Sequence, residues 1–247
     1  MVQVNGDFSI YEVVGIGLYF VIIGYEFLLF GYFLLFRYRR SKRVYWLFMG
    51  SFFIFLVISR VGYLFYDYFF SKTDTVDQMA AWKFANAFGW VAVSMVSEIL
   101  SILLFTSESK AHQVMKRVFP LVPIAIAVII IFLPPSSVTN PAGPAWGILG
   151  SLPIAKIVFN IMILPAYIVL LPFMFFYLAA KSAGTLQRSF LFNGIGLLFY
   201  YAVRAAQPLL VPNPAEVTSF TAAALPVLLL ILAILIITFA NQYETLK

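Results

Sequence analysis

The chain has 247 residues, of which 63% are hydrophobic and only 11% charged, with a mean hydropathy of +0.97. Soluble domains carry about 25% charged residues, and a water-soluble fold of this size would lack the polar surface to cover so much apolar material, so the composition points to a lipid bilayer. There are no cysteines, which excludes disulfides, thiolate metal sites and cysteine nucleophiles, and the net charge of +6 sits beside apolar stretches, where anionic headgroups rather than nucleic acid are the expected partner.

The N-terminal MVQVNGDFSIYEV is polar and slightly acidic. It lacks the basic region and small-residue cleavage site of a signal peptide, so the first apolar segment is expected to be retained. A spanning helix needs about 20 mostly apolar residues. Seven stretches qualify or nearly do: 10–36, 44–70, 79–105, 116–134, 151–180, 189–211 and 218–241. Between the first two lies RYRRSKRVYW (37–46), a cationic island of Arg37, Arg39, Arg40, Lys42 and Arg43 followed by Tyr45 and Trp46. It reads as a loop anchored at a membrane surface, with the aromatics in the interfacial belt. TVDQ (75–78) reads as a capping box opening the third helix. The third loop, TSESKAHQVMKR, adds Lys110, Lys116 and Arg117, and the fifth adds Lys181 and Arg188. The opposite side carries Asp7, Asp74, Asp77 and Glu216 against Lys72 and Lys83. The positive-inside rule therefore predicts an external N-terminus and a cytoplasmic C-terminus. PPSSVTNPAGPAWG is expected to be an ordered surface loop. Pro165, Pro172 and Pro226 lie within spans, where a kink rather than a break is expected.

Ionisable residues inside a membrane cost about 2.5–3.5 kcal/mol each on insertion scales and mark function or a specific internal pairing. Five stand within spans: Glu26, Arg60, Glu98, Lys156 and Arg204, with Glu12 and Asp67 at outer ends. Helical spacing aligns Glu12, Tyr19 and Glu26 on the first span, and Arg60, Tyr63 and Asp67 on the second. On the third, Asn86, Trp90, Ser94, Ser97 and Ser101 form a stripe with Glu98 alongside. Lys156, Asn160 and Tyr167 align on the fifth, and Asn193, Tyr200, Arg204 and Gln207 on the sixth. Such stripes are expected to converge on an interior rather than face lipid. Depth counting at about 1.5 Å per residue puts Arg60, Lys156 and Arg204 toward the outside, Glu26 near mid-depth and Glu98 nearer the cytoplasm. The expected result is a cationic cavity ringed by Tyr63, Tyr200 and Asn160, with two carboxyls below it. Glu12 and Asp67 are the expected structural ion-pair partners of Arg204 and Arg60.

Several chemistries find no support. The single histidine, His112, falls in an expected loop, away from where haem ligands would be needed. HExxH and GxSxG are both absent. The glycines of VGIG (14–17) and NGIG (193–196) lie within spans, as packing glycines do. No metal or cofactor is expected, and no enzymatic activity. Retinal proteins share the topology but hold their chromophore on a lysine in the last helix, and TAAALPVLLLILAILIITFA has none. Carriers of the 3+1+3 type also have seven helices. Arg60 and Arg204 occupy positions that such a repeat would equate, but the Pro-Gln motif of that family is missing.

The segment ISRVGYLFYDYFF (58–70), followed by an acidic-polar loop and a third helix ending in a glutamate, resembles a pattern in uncharacterised seven-helix membrane proteins of archaea. The resemblance covers the second and third spans and implies a membrane-embedded helical fold without an assigned activity.

The expectation is a single-domain (1–247), all-α, seven-transmembrane-helix bundle, multi-pass in the cell membrane. Its favoured function is non-enzymatic and of sensor or receptor type. A small anionic or polar ligand would enter an outward-facing intramembrane pocket formed by Arg60, Arg204, Lys156, Tyr63, Tyr200 and Asn160. Glu26 and Glu98 are the proton-titrating candidates. With no output domain attached, a membrane or cytoplasmic protein partner would carry any signal. A small-solute or proton-coupled transporter is the first alternative and an accessory subunit of a membrane complex the second.

Overall fold

The computed structural model describes residues 10–70, 75–106, 109–134, 136, 154–210 and 220–242. Among these residues the protein is all-helical, with no strand. Helix α1 (Ile10–Gly31) runs on through a π-helical stretch, Tyr32–Tyr38, into a last turn, Arg39–Ser41. Helix α2 (Val44–Leu64) ends in a second π-helical stretch, Phe65–Phe69. Helices α3 (Thr75–Leu104) and α4 (Lys110–Ile131) follow. Further along are a short turn, Ile154–Lys156, a third π-helical stretch, Ile157–Ile163, and helix α5 (Leu164–Lys181). Helices α6 (Gly184–Leu210) and α7 (Phe220–Ala240) come last.

Four helical runs are long and apolar enough to cross a membrane: Val13–Ser41, Val44–Phe69, Val76–Leu104 and Lys110–Ile131. The described apolar stretches Val169–Lys181 and Ala224–Ala240 are shorter. The chain divides into two compact units, one containing Tyr19–Leu133 and the other containing 10–18 and 154–242.

In the first unit, α2 packs on α3 and α3 on α4. Burial separates central from peripheral helices, with 61% of the α2 window and 56% of the α3 window buried against 28% for α1 and α4. The outer helices therefore present apolar side chains outward, including Phe20, Leu28 and Phe36 on α1 and Leu121, Val128 and Ile129 on α4. Close approach of α2 to α3 depends on small residues. A Cβ on Gly62 would stand 2.9 Å from the Ala85 Cβ and from Phe84, and Ser59 Oγ donates to the Ala85 carbonyl at 2.7 Å. In the second unit, α6 packs against both α5 and α7. Asn241 joins α6 to the end of α7, donating through Nδ2 to Asn193 Oδ1 at 2.8 Å and to the Ile237 carbonyl at 2.7 Å.

Two boundaries differ from the sequence reading. The cationic island is not mainly a loop. Arg37, Arg39 and Arg40 belong to the helical continuation of α1, and the reversal is confined to Lys42 and Arg43, with Lys42 in the left-handed region at φ 55°. Arg37 is held against aromatics in this extension: it donates to the Tyr32 hydroxyl at 2.8 Å and lies over the Trp46 ring at 5.3 Å. Helix α4 begins at Lys110, six residues before the expected 116, so His112, Lys116 and Arg117 are helical. Ser109 explains this start: it is the N-cap, and its Oγ accepts from the His112 backbone N–H at 3.4 Å. Pro120 and Pro123 lie inside α4. Helix α3 begins at Thr75, as the TVDQ motif predicts; the Thr75 side chain lies outside the described residues, as do Asp7, Lys72, Asp74, Glu216 and all of PPSSVTNPAGPAWG but Pro134 and Ser136.

Candidate functional site: a buried ion pair

The buried face of α1 in the first unit is Tyr19, Ile22, Glu26, Leu29 and Phe33, a 3-4-3-4 stripe with one acid at its centre. The stripe ends on a stack in which Phe33 lies parallel to Trp46 and to Phe53, each at 5.6 Å. Helix α2 turns Ser59, Arg60 and Tyr63 inward. Glu26 and Arg60 meet there: Arg60 Nε lies 3.6 Å from Glu26 Oε1, with side-chain exposures of 3% and 0%. This is an ion-pair distance, longer than a good hydrogen bond.

The two charges are thus contributed by different helices and removed from solvent. In a medium of low dielectric neither charge is tolerable alone, so the pair acts as one unit. Above it, Tyr19 donates its hydroxyl to Asp67 Oδ2 at 3.0 Å and stacks edge-on against Tyr68 at 5.8 Å. This ties α1 to the π-helical end of α2. Tyr63 is buried close by in sequence on α2.

The depth ordering expected from sequence therefore changes. Glu26 is level with Arg60 instead of below it. Depths counted from hydropathy-chosen ends shift here because the first helix continues past residue 36 to Ser41.

The polar stripe of α3 is buried as its spacing predicts, at Asn86, Trp90, Ser94, Ser97 and Ser101. Its polar groups close locally. Ser97 donates to the Val93 carbonyl, Ser101 to the Glu98 carbonyl and Asn86 to the Trp82 carbonyl. Ser94 reaches across to the Pro120 carbonyl of α4 at 2.7 Å. Three of these four bonds stay within α3, and the Ser94 bond fastens α3 to α4. Glu98 is different: half-exposed, it lines a groove with Lys116 and Arg117.

In the second unit, Tyr200 and Tyr201 are buried and meet edge-on at 5.4 Å, and Arg204 is half-exposed one turn further along α6. The side chains of Lys156, Asn160 and Glu12 lie outside the described residues. The sequence-predicted candidates thus divide: Glu26, Arg60, Tyr63, Asp67 and Glu98 belong to the first unit, and Lys156, Asn160, Tyr200, Arg204 and Glu12 to the second. Among the described residues no group of three or more acidic or histidine side chains could hold a metal ion.

Three contacts were not foreseen. Lys83 Nζ donates to the Ile131 and Leu133 carbonyls at the end of α4, a C-terminal cap that a single lysine in an apolar run does not announce. Asn241 lies at the edge of the last apolar run, where it reads as the start of a polar tail. Tyr19 belongs to the Glu26 stripe, but its bond to Asp67 links two helices and leaves no trace in spacing. Comparison with known proteins finds no family model, no curated protein and no solved structure that matches the chain.

Proposed function

We propose that the chain is an integral membrane protein of seven spans, with the N-terminus outside and the C-terminus cytoplasmic. In this reading it works without enzymatic chemistry, as a sensor or receptor for a small anionic or polar ligand. Support for the membrane comes from the four long apolar helices and the apolar side chains left exposed along α1 and α4. Support for the orientation comes from the gathering of Arg37, Arg39, Arg40, Lys42 and Arg43 with Lys110, Lys116 and Arg117 at helix ends that alternate along the chain.

The observation that carries the functional reading is the Glu26–Arg60 pair, an acid and a base on separate helices, both buried. Intramembrane charges of this kind mark ligand or ion sites by default. An anion arriving at Arg60 replaces the Glu26 carboxylate, and Glu26 then takes up a proton, because an unpaired buried carboxylate is far costlier than a neutral acid. Exchange of partners frees α1 from α2 at mid-helix, which is the change a protein partner would read.

The same pair serves a proton-coupled carrier, since release of Arg60 is coupled to protonation of Glu26. Proteoliposome measurements with acetate, phosphate and nitrate separate the two. Saturable binding without flux, abolished in Arg60→Ala, is the receptor result. Flux driven by a pH gradient and lost in Glu26→Gln is the carrier result. An accessory-subunit role would give neither, and the chain would instead co-purify with a second membrane protein from its native membrane.

A further inference from the structure

A groove of about 680 Å³ opens between α3 and α4 in the first unit, with Met95, Glu98, Lys116, Arg117, Leu121 and Ile124 in its lining. Its volume lies in the range of sites that hold small molecules. The lining is graded along α4. Gln113, Lys116 and Arg117 come first in the helix, and Pro120, Leu121 and Ile124 follow one to two turns on. On the facing helix, Glu98 lies toward the charged end and Met95 one turn toward the apolar end. Leu121 and Ile124 remain 55% and 37% exposed, so the apolar end of the groove is open on its side.

A cavity that is cationic at one end and apolar at the other matches an amphiphile with an anionic head. Lys116 and Arg117 set two positive charges against the single carboxylate of Glu98, which interacts electrostatically with Lys116. That leaves one net positive charge in the lining, together with an amide at Gln113. The arginine fork and the lysine ammonium suit phosphate oxygens. Glu98 is an acceptor only, so it calls for a donor in the ligand and disfavours a headgroup without one.

We propose that this groove binds an anionic glycerophospholipid whose headgroup carries free hydroxyls. The phosphate lies on Lys116 and Arg117, a headgroup hydroxyl donates to Glu98, and an acyl chain runs past Met95, Leu121 and Ile124. The proposal rests on the membrane reading above. It adds that one lipid class is held at a defined place, by charges distinct from the Glu26–Arg60 pair.

The test uses the full chain in nanodiscs and in detergent, with phosphatidylglycerol and phosphatidylcholine as probes. Native mass spectrometry counts retained lipid, and displacement of a labelled phosphatidylglycerol measures preference. Phosphatidylglycerol is expected to be preferred by roughly fivefold, the order that two interfacial cations opposed by one acid supply. Lys116→Gln/Arg117→Gln should abolish the preference. Arg39→Gln/Arg40→Gln removes the same charge from the same end of the unit, outside the groove, and should leave it intact. Leu121→Trp keeps every charge but obstructs the apolar end, and should also release the lipid. Equal loss of preference in both double variants would overturn the proposal, reducing it to general surface attraction. Retention in Leu121→Trp, or displacement of the lipid by soluble glycerol phosphate, would overturn it as well. A chain that does not enter bilayers at all refutes the membrane reading instead, whereas one that inserts but holds both lipids equally refutes only the groove.

Discussion

Removing Arg60 is the most informative perturbation. Arg60→Met keeps much of the side-chain volume and deletes the charge, leaving Glu26 at 0% exposure without the guanidinium now 3.6 Å away. Breaking a buried pair by removing one partner is destabilising by about 3–5 kcal/mol, because an uncompensated charge remains. Glu26→Gln should cost a comparable amount by stranding Arg60. The double variant Glu26→Gln/Arg60→Met removes both charges together and should recover much of the loss, since replacing a whole buried pair is often close to neutral. The expected coupling is therefore at least about 2 kcal/mol, well beyond the few tenths seen for independent sites. The assay is a double-mutant cycle by denaturant unfolding in a mild detergent, followed by helical circular dichroism. Additive losses, or a cost below about 1 kcal/mol for Arg60→Met, would refute the claim that these two groups depend on each other.

Gly62→Val should destabilise the first unit by about 1–3 kcal/mol, because a Cβ there would already stand 2.9 Å from Ala85; thermal unfolding measures it. Tyr201→Phe should be neutral to stabilising by about 1 kcal/mol, since the Tyr201 hydroxyl is buried with no hydrogen-bond partner among the described residues; a clear loss in the same assay would reveal a bond. Ser109→Ala should cost about 1 kcal/mol and increase hydrogen exchange at the start of α4, where Ser109 accepts from His112 N; unchanged exchange there would count against the cap.

The all-helical class was legible, and four of the expected apolar runs are helices long and apolar enough to cross a membrane among the described residues. The inward faces were legible as well. Glu26 shares its seven-residue spacing with Tyr19, and both are buried; the α3 stripe from Asn86 to Ser101 is buried throughout. Partner choice was not legible. Periodicity says which way a side chain points on its own helix, but pairing depends on the relative height and rotation of two helices. A π-helical stretch alters both, as between Tyr32 and Tyr38. A shared helix face places Asp67 beside Arg60, and it gives no sign that the geometry also brings Glu26 to Arg60 and Tyr19 to Asp67 from a second helix. The α3 serines illustrate a second limit. A buried hydroxyl stripe looks the same in sequence whether it lines water or bonds to carbonyls, and here the observed bonds go to Val93, Glu98 and Pro120. Helix starts were obscured by polar residues that read as loop. Lys110 to Arg117 are helical because of one capping serine.

Anion binding to wild-type, Glu26→Gln and Arg60→Ala protein in proteoliposomes bears most directly on the exchange of partners at Arg60. If the ligand displaces the Glu26 carboxylate, Glu26→Gln removes the internal competitor and binds acetate or phosphate more tightly than the wild type, while Arg60→Ala loses saturable binding. Equal affinity in wild-type and Glu26→Gln protein, or binding that survives in Arg60→Ala, would contradict the account.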